Sequence, residues 1–202
     1  MINRVCTVIA LLSLLTGCVT QTVKTTAVPT LKTYTTELAS DEILDVAVVV
    51  FDPGLMETDP ENSVYPEIRR AEATFMAREL ALVLDDQGAW GASRVVPSND
   101  HIADVLINGT IEQSDGESLT LYIRATDAQG RTWLDKRYAG TTSRYAYQQM
   151  QRVKKDTFLA IYRDVVKDLL AVFQGLSSNQ RIAIRDVAKL RCSRTFESAG
   201  FE

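Results

Sequence analysis

Between two turn sequences, Ser114-Asp115-Gly116 and Asp127-Ala128-Gln129-Gly130, apolar and polar residues alternate without interruption. Leu119, Leu121, Ile123 and Ala125 fall on one side of that period, and Thr120, Tyr122, Arg124 and Thr126 on the other. A period of two over eight residues is a strand with one dry face, and it excludes a helix there. Val105 to Glu112 before it and Thr132 to Tyr138 after it are predicted as its neighbours, which makes an antiparallel meander.

Upstream, Val46-Ala47-Val48-Val49-Val50-Phe51 is a continuous, mostly β-branched run, predicted as a strand covered on both faces and stopped by Asp52-Pro53-Gly54. Pro66 opens a helix where its missing N–H costs nothing. The predicted apolar face is Ile68, Ala71, Phe75, Met76, Leu80, Val83 and Leu84, with Gly88 as the stop. Arg94-Val95-Val96 before Pro97 is a short edge strand. The last third is helical: one long helix over 145–173 with a wide apolar stripe from Phe158 to Phe173, then a second over 178–192. The fold class is therefore α+β, a small mixed sheet with an antiparallel meander, helices packed on one face, and long C-terminal helices.

The chain of 202 residues is 46% hydrophobic and 24% charged, a globular composition. Its charge is split unevenly. Residues 41–143 hold 19 acidic against 8 basic side chains, and residues 144–194 hold 4 against 11. The basic C-terminal part is expected to complement the acidic body within one molecule, or else to face an anionic partner. Arg181, Arg185 and Lys189 form an exposed row on the last helix and, with the apolar stripe of the long helix, are the predicted partner contacts.

The amino terminus sets the compartment. Arg4 is followed by a short apolar run, Val8 to Leu15, too short to span a bilayer and typical of a secretory signal over residues 1–17. The stretch that ends it, Leu15-Thr16-Gly17-Cys18, resembles the bacterial lipobox. That resemblance implies acylation of the Cys18 thiol and cleavage just ahead of it, with several acyl chains forming a stable anchor. Val19, where an aspartate would direct retention at the inner membrane, implies the outer membrane, periplasmic face. Residues 18–40, with eight threonines from Thr20 to Thr36, are predicted as a tether. The domain core follows over 41–143 and the basic helices over 144–202.

With Cys6 lost and Cys18 acylated, Cys192 is the one thiol left, expected as a small buried apolar residue on its helix. No cofactor, metal or catalytic residue is predicted. His101, the single histidine, lies beside Asp100 in a polar loop, and there is no Gly-x-Ser-x-Gly elbow to present a nucleophile. The acidic loop of Asp52, Glu57, Asp59 and Glu61 lacks the ligand spacing and central glycine of a calcium loop. No small-molecule substrate is evident, and an exported chain with an acidic body does not suit nucleic acid.

The order of elements resembles the amino-terminal domain of TolB and the related domains of curli-pore and penicillin-binding-protein activator lipoproteins. The residues that carry the resemblance are Val46 to Phe51, Ala103-Asp104-Val105-Leu106-Ile107-Asn108-Gly109-Thr110-Ile111, and Leu119 through Asp127-Ala128-Gln129-Gly130 to Trp133. It implies a small mixed sheet that binds other envelope proteins. The tight turns leave no room for the membrane hairpins of a curli pore, and no propeller repeats follow. The sequence points to a non-catalytic, lipid-anchored accessory or partner-binding protein of the periplasm, with a self-associating structural subunit as the alternative.

Overall fold

The computed structural model describes residues 21–25, 30–31, 33–55, 65–142 and 156–199. It is an α+β fold built on one mixed six-stranded sheet with the order β1-β6-β5-β4-β2-β3. These strands are β1 (Gln21–Thr25), β2 (Val46–Val49), β3 (Ser93–Val96), β4 (Val105–Ser114), β5 (Ser118–Asp127) and β6 (Thr132–Thr141). The meander is present as predicted, with β4–β5 and β5–β6 antiparallel. The other three pairings, β1–β6, β2–β3 and β2–β4, are parallel. The predicted edge strand is β3.

The alternating residues separate as their period requires. Ile111, Leu121 and Tyr138 are cross-strand partners facing the core, as are Ile107, Ala125 and Leu134. The opposite face over the meander is polar, with Tyr122 donating to Asp135 and Arg137 paired with Glu112 at 2.8 Å. Only near β2 and β3 does that second face turn apolar, where Ala47, Val49 and Val96 are buried with Ala103 and Leu106 against them. β2 is thus covered on both sides, as its unbroken β-branched run predicts.

Two helices pack on the core face: α1 (Pro66–Gln87) and α2 (Leu159–Gln174). Pro66 occupies the first turn of α1, and Gly88 ends it in the left-handed region at φ 72°. The buried face of α1 is rotated from the predicted one. Ala73, Ala77 and Ala81 pack inward with Met76, Leu80, Val83 and Leu84, and Arg69 is buried with them, its guanidinium donating to Ser114 O at 3.0 Å. Ile68 and Phe75, predicted as core, are 58% and 48% exposed. The alanines let the helix approach the sheet closely, which turns the larger side chains outward.

The helix predicted as continuous over 145–173 begins at Leu159: residues 156–158 form a turn in which Asp156 Oδ1 accepts the Phe158 N–H at 2.9 Å, and residues 143–155 lie outside the described chain. Its apolar stripe, expected as a partner contact, is spent inside the molecule. Ile161, Tyr162, Val165, Val166, Leu169 and Phe173 are all buried. The third helix, α3 (Ser178–Ala199), runs farther than predicted. Its Ile184 and Ala188 enter the core beside the segments that lead into β2 and β4.

The stretch read as a tether is not free chain throughout. Gln21–Thr25 pairs with β6 from Gln21↔Lys136 to Thr25↔Gly140. Farther on, the Tyr34 N–H donates to Gln87 O at 2.9 Å, and the Tyr34 ring meets Phe173 edge-on at 6.0 Å. Threonine is a good strand former once a partner edge is supplied, and β6 supplies it.

Candidate functional site

Two internal constellations explain the residues that the sequence singles out without explaining. β2 ends at Val49, but pairing resumes at Asp52, which bridges to Thr110. The Asp52 N–H donates to Gly109 O at 2.7 Å and the Ile111 N–H to Asp52 O at 2.9 Å. This lays the Phe51 ring directly over Gly109, where a Cβ would come within 2.5 Å of the ring. The glycine inside β4 is therefore a steric requirement of the ring above it. At the far turn, Asp127 Oδ1 accepts the N–H groups of Gln129 and Arg131, and Oδ2 accepts the Trp133 indole N–H at 2.9 Å. The aspartate-led turn and the aromatic after it are one buried hydrogen-bonded unit.

The third constellation is where α3 meets the sheet. Asp104 Oδ2 accepts the Asp45 N–H at 2.7 Å and the Arg185 guanidinium at 3.0 Å. The Arg185 guanidinium also donates to Ile43 O, and Asp45 Oδ2 lies 3.7 Å away. One turn earlier, Arg181 pairs with Glu42 at 2.5 Å and sits over the Phe173 ring at 5.4 Å. Burial pushes the Asp104 carboxyl up, against the Asp45 N–H and Arg185 that favour its ionised form. The Ser178 hydroxyl and then Arg181 hold Glu42 below the usual carboxylate range.

The expected exposed row is thus corrected at two of its three members. Arg181 and Arg185 are half-buried and engaged by Glu42, Asp45 and Asp104, because those carboxylates face the first turns of α3. The basic C-terminal segment does complement the acidic body. Lys189 is exposed, with Asp186 at 3.8 Å. Beside this junction lies an open cleft of about 240 Å³, with Val46, Val96 and Ala188 on its walls and Arg94, His101 and Lys189 at its rim. His101 is exposed, and neighbouring Asp100 accepts the Ser98 hydroxyl at 3.2 Å. Cys192, expected buried, is exposed, and it lines this open cleft from the second half of α3.

Among the described residues, no group of three His, Cys, Asp or Glu side chains could hold a metal ion, and no helix is long and apolar enough to cross a membrane. Asp52 Oδ1 accepts the Gly54 N–H at 2.8 Å, while Glu57, Asp59 and Glu61 lie outside the described residues, as does Cys18.

The surface that sequence reasoning missed is on α1. Tyr65, Ile68, Phe75 and Leu82 are 69%, 58%, 48% and 47% exposed. Ile68, Phe75 and Leu82 recur every seven residues, which sets them in one row along the helix. The only available signal was that seven-residue recurrence, masked by the apolar residues on the buried side.

No family model and no curated protein matches the chain. Two solved structures are similar to it. One is a PelC dodecamer from Paraburkholderia phytofirmans, with 16% identity and a TM-score of 0.41 over 69% of this chain and 95% of that one. The other is a DUF330 protein from Xanthomonas campestris, with 12% identity and a TM-score of 0.35 over 86% of this chain and 99% of that one. Identities this low attach no residue role to the present chain.

Proposed function

We propose that the chain is a non-catalytic, lipid-anchored accessory protein of the bacterial envelope. Acylated at Cys18 on the periplasmic face of the outer membrane, it acts by binding another protein through the outer row of α1. The observation that carries the binding reading is the exposure of Ile68, Phe75 and Leu82 along a single face of α1, with Tyr65 exposed just ahead of its first turn. Large apolar side chains grouped in water, and not scattered, are what a contact surface requires. The anchor rests on Leu15-Thr16-Gly17-Cys18. The resemblance to the TolB amino-terminal group belongs to the same reading, since those domains bind other envelope proteins.

A second reading, self-association, has its own support. Antiparallel pairing of two α1 helices about a two-fold axis at Phe75 sets Ile68 of one copy against Leu82 of the other. The same operation brings Glu72, which is engaged within its own chain by Arg69 and the Ser114 hydroxyl, opposite Arg78.

Exchanging Cys18→Ser tests the anchor: release from membranes supports acylation, and continued membrane association contradicts it. Light scattering on the domain from Val19 onward separates the two binding readings. A dimer that the substitution Phe75→Glu converts to monomer supports self-association. A monomer at all concentrations leaves the row to a different protein.

A further inference from the structure

The chain between β3 and β4 has to cross β2. Val96 ends β3 opposite Val49, and Val105 opens β4 opposite Val46 on the other side of the strand. Residues 97–104 therefore pass over one face of β2, the face on which Ala47, Val49 and Val96 are buried with Ala103 and Leu106 against them. From α3, Arg185, Ala188, Lys189 and Cys192 reach the same place; they are three or four residues apart and so share one side of the helix. The open cleft of about 240 Å³ lies between this crossing and α3. Its floor is Val46, Ala47, Val96 and Ala188, and Ile102 is 38% exposed at its edge.

Charge around the cleft is unevenly matched. The two carboxylates in its wall are engaged: Asp45 Oδ1 accepts the Ala92 N–H at 2.7 Å, and Asp104 Oδ2 accepts the Asp45 N–H and Arg185. Lys189 has Asp186 beside it, and Asp100 accepts the Ser98 hydroxyl. Arg94 and His101, both exposed, have no hydrogen-bond or ion-pair partner among the described residues. Arg94 is the cross-strand partner of Ala47, so its side chain leaves the sheet on the cleft face. A permanent cation and an imidazole thus stand unmatched at the mouth of an apolar floor.

We infer that this cleft binds a carboxylate carried on a short apolar tail, with Arg94 and His101 holding the carboxylate and the floor receiving the tail. A cleft of about 240 Å³ has room for about eight water molecules, so the tail is no larger than a short alkyl chain or one leucine-sized side chain. Displacing water from the floor favours the tail, and a guanidinium meets a carboxylate through two parallel N–H donors. The same chemistry occurs in a free short-chain acid and at the end of a protein chain whose last residue is apolar. The cleft is separate from the outer row of α1, and its chemistry does not depend on the anchor.

Cys192 is exposed and lines the cleft, which makes it a reporter of occupancy. In the test, the full chain is treated with N-ethylmaleimide, and alkylation of the peptide carrying Cys192 is timed by mass spectrometry. Saturating hexanoate should slow that alkylation several-fold. Acetate, which lacks the tail, and hexylamine, which has the opposite charge, should leave it unchanged. Arg94→Gln should abolish the protection and keep the rate without ligand and the unfolding midpoint of the parent chain. A tripeptide ending in leucine separates the two sources of the carboxylate. Protection by this peptide at lower concentration than hexanoate assigns the cleft to a chain terminus, and a peptide no better than hexanoate assigns it to a free acid. The inference is overturned by absence of protection with hexanoate, by equal protection with hexylamine or with the peptide amide, or by protection that survives Arg94→Gln.

Discussion

Asp104 and Arg185, 81 positions apart in sequence, meet at 3.0 Å where α3 is fastened to the sheet, and the Asp104 side chain is only 6% exposed. The pair ties the aspartate ahead of β4 to a helix that otherwise sends few apolar side chains into the core. Removing the cation leaves a nearly buried carboxylate with a single backbone donor. Arg185→Ala should cost about 2 to 4 kcal/mol, measured by denaturant unfolding, and should raise amide exchange along α3. Asp104→Asn in the same chain should recover part of the loss, since no buried charge then remains.

The two carboxylates of this junction should respond to acid with opposite signs. Asp104 is shifted up, so the native state keeps its proton after the unfolded chain has released it. Its contribution is fully present below the ordinary carboxylate value and is lost as pH rises through the raised value. Glu42 is shifted down, so its contribution is present above the ordinary value and is lost as pH falls through the depressed one. Unfolding free energies between about pH 3 and 6 should therefore show Asp104→Asn gaining on the parent chain as pH rises. Glu42→Gln should lose ground over the same range.

Phe51 and Gly109 should behave as a coupled pair. Gly109→Ala places a methyl group within 2.5 Å of the ring, and overpacking of that kind costs about 1 to 3 kcal/mol. Phe51→Ala empties a buried site at about 3 to 5 kcal/mol. A double-mutant cycle read by thermal or denaturant unfolding should find the combined loss smaller than the sum, because the alanine at 109 clashes only when the ring is present.

Cys192 should react with an aromatic disulfide reagent in the native state nearly as fast as in denaturant, since its side chain is exposed in the open cleft beside α3. A thiol that reacts only after unfolding would show that the cleft is closed over it.

Strands and turns were legible in the sequence because their signals are local. The alternation from Leu119 to Thr126, the turn residues at Asp115-Gly116 and Asp127-Gly130, and the β-branched run at Val46 each carry their own period or conformational demand. β1 was not legible. Gln21–Thr25 has one apolar residue, Val23, and is a strand because β6 offers it a ladder. The rotation of α1 was misjudged because alanines at 73, 77 and 81 contribute little to an apolar pattern yet mark the closest approach to the sheet. The arginines of α3 looked free because Glu42 and Asp104 lie 139 and 81 residues away, and no spacing rule reaches that far. Gly109 and Trp133 stood out as residue types in sequence, but their reasons, a ring overhead and an aspartate to bind, are visible only in three dimensions.

The central claim, that a lipid-held domain works by contact through the outer row of α1, is tested most directly by a photo-crosslinking amino acid at Phe75 in cells. A matched control carries it at Arg124, on the polar face of the sheet. The account predicts a discrete adduct from position 75 and none from 124, at twice the chain mass for self-association or at another defined mass for a different protein. Membrane-bound chain that yields no adduct at 75, or the same adducts from both positions, would contradict it.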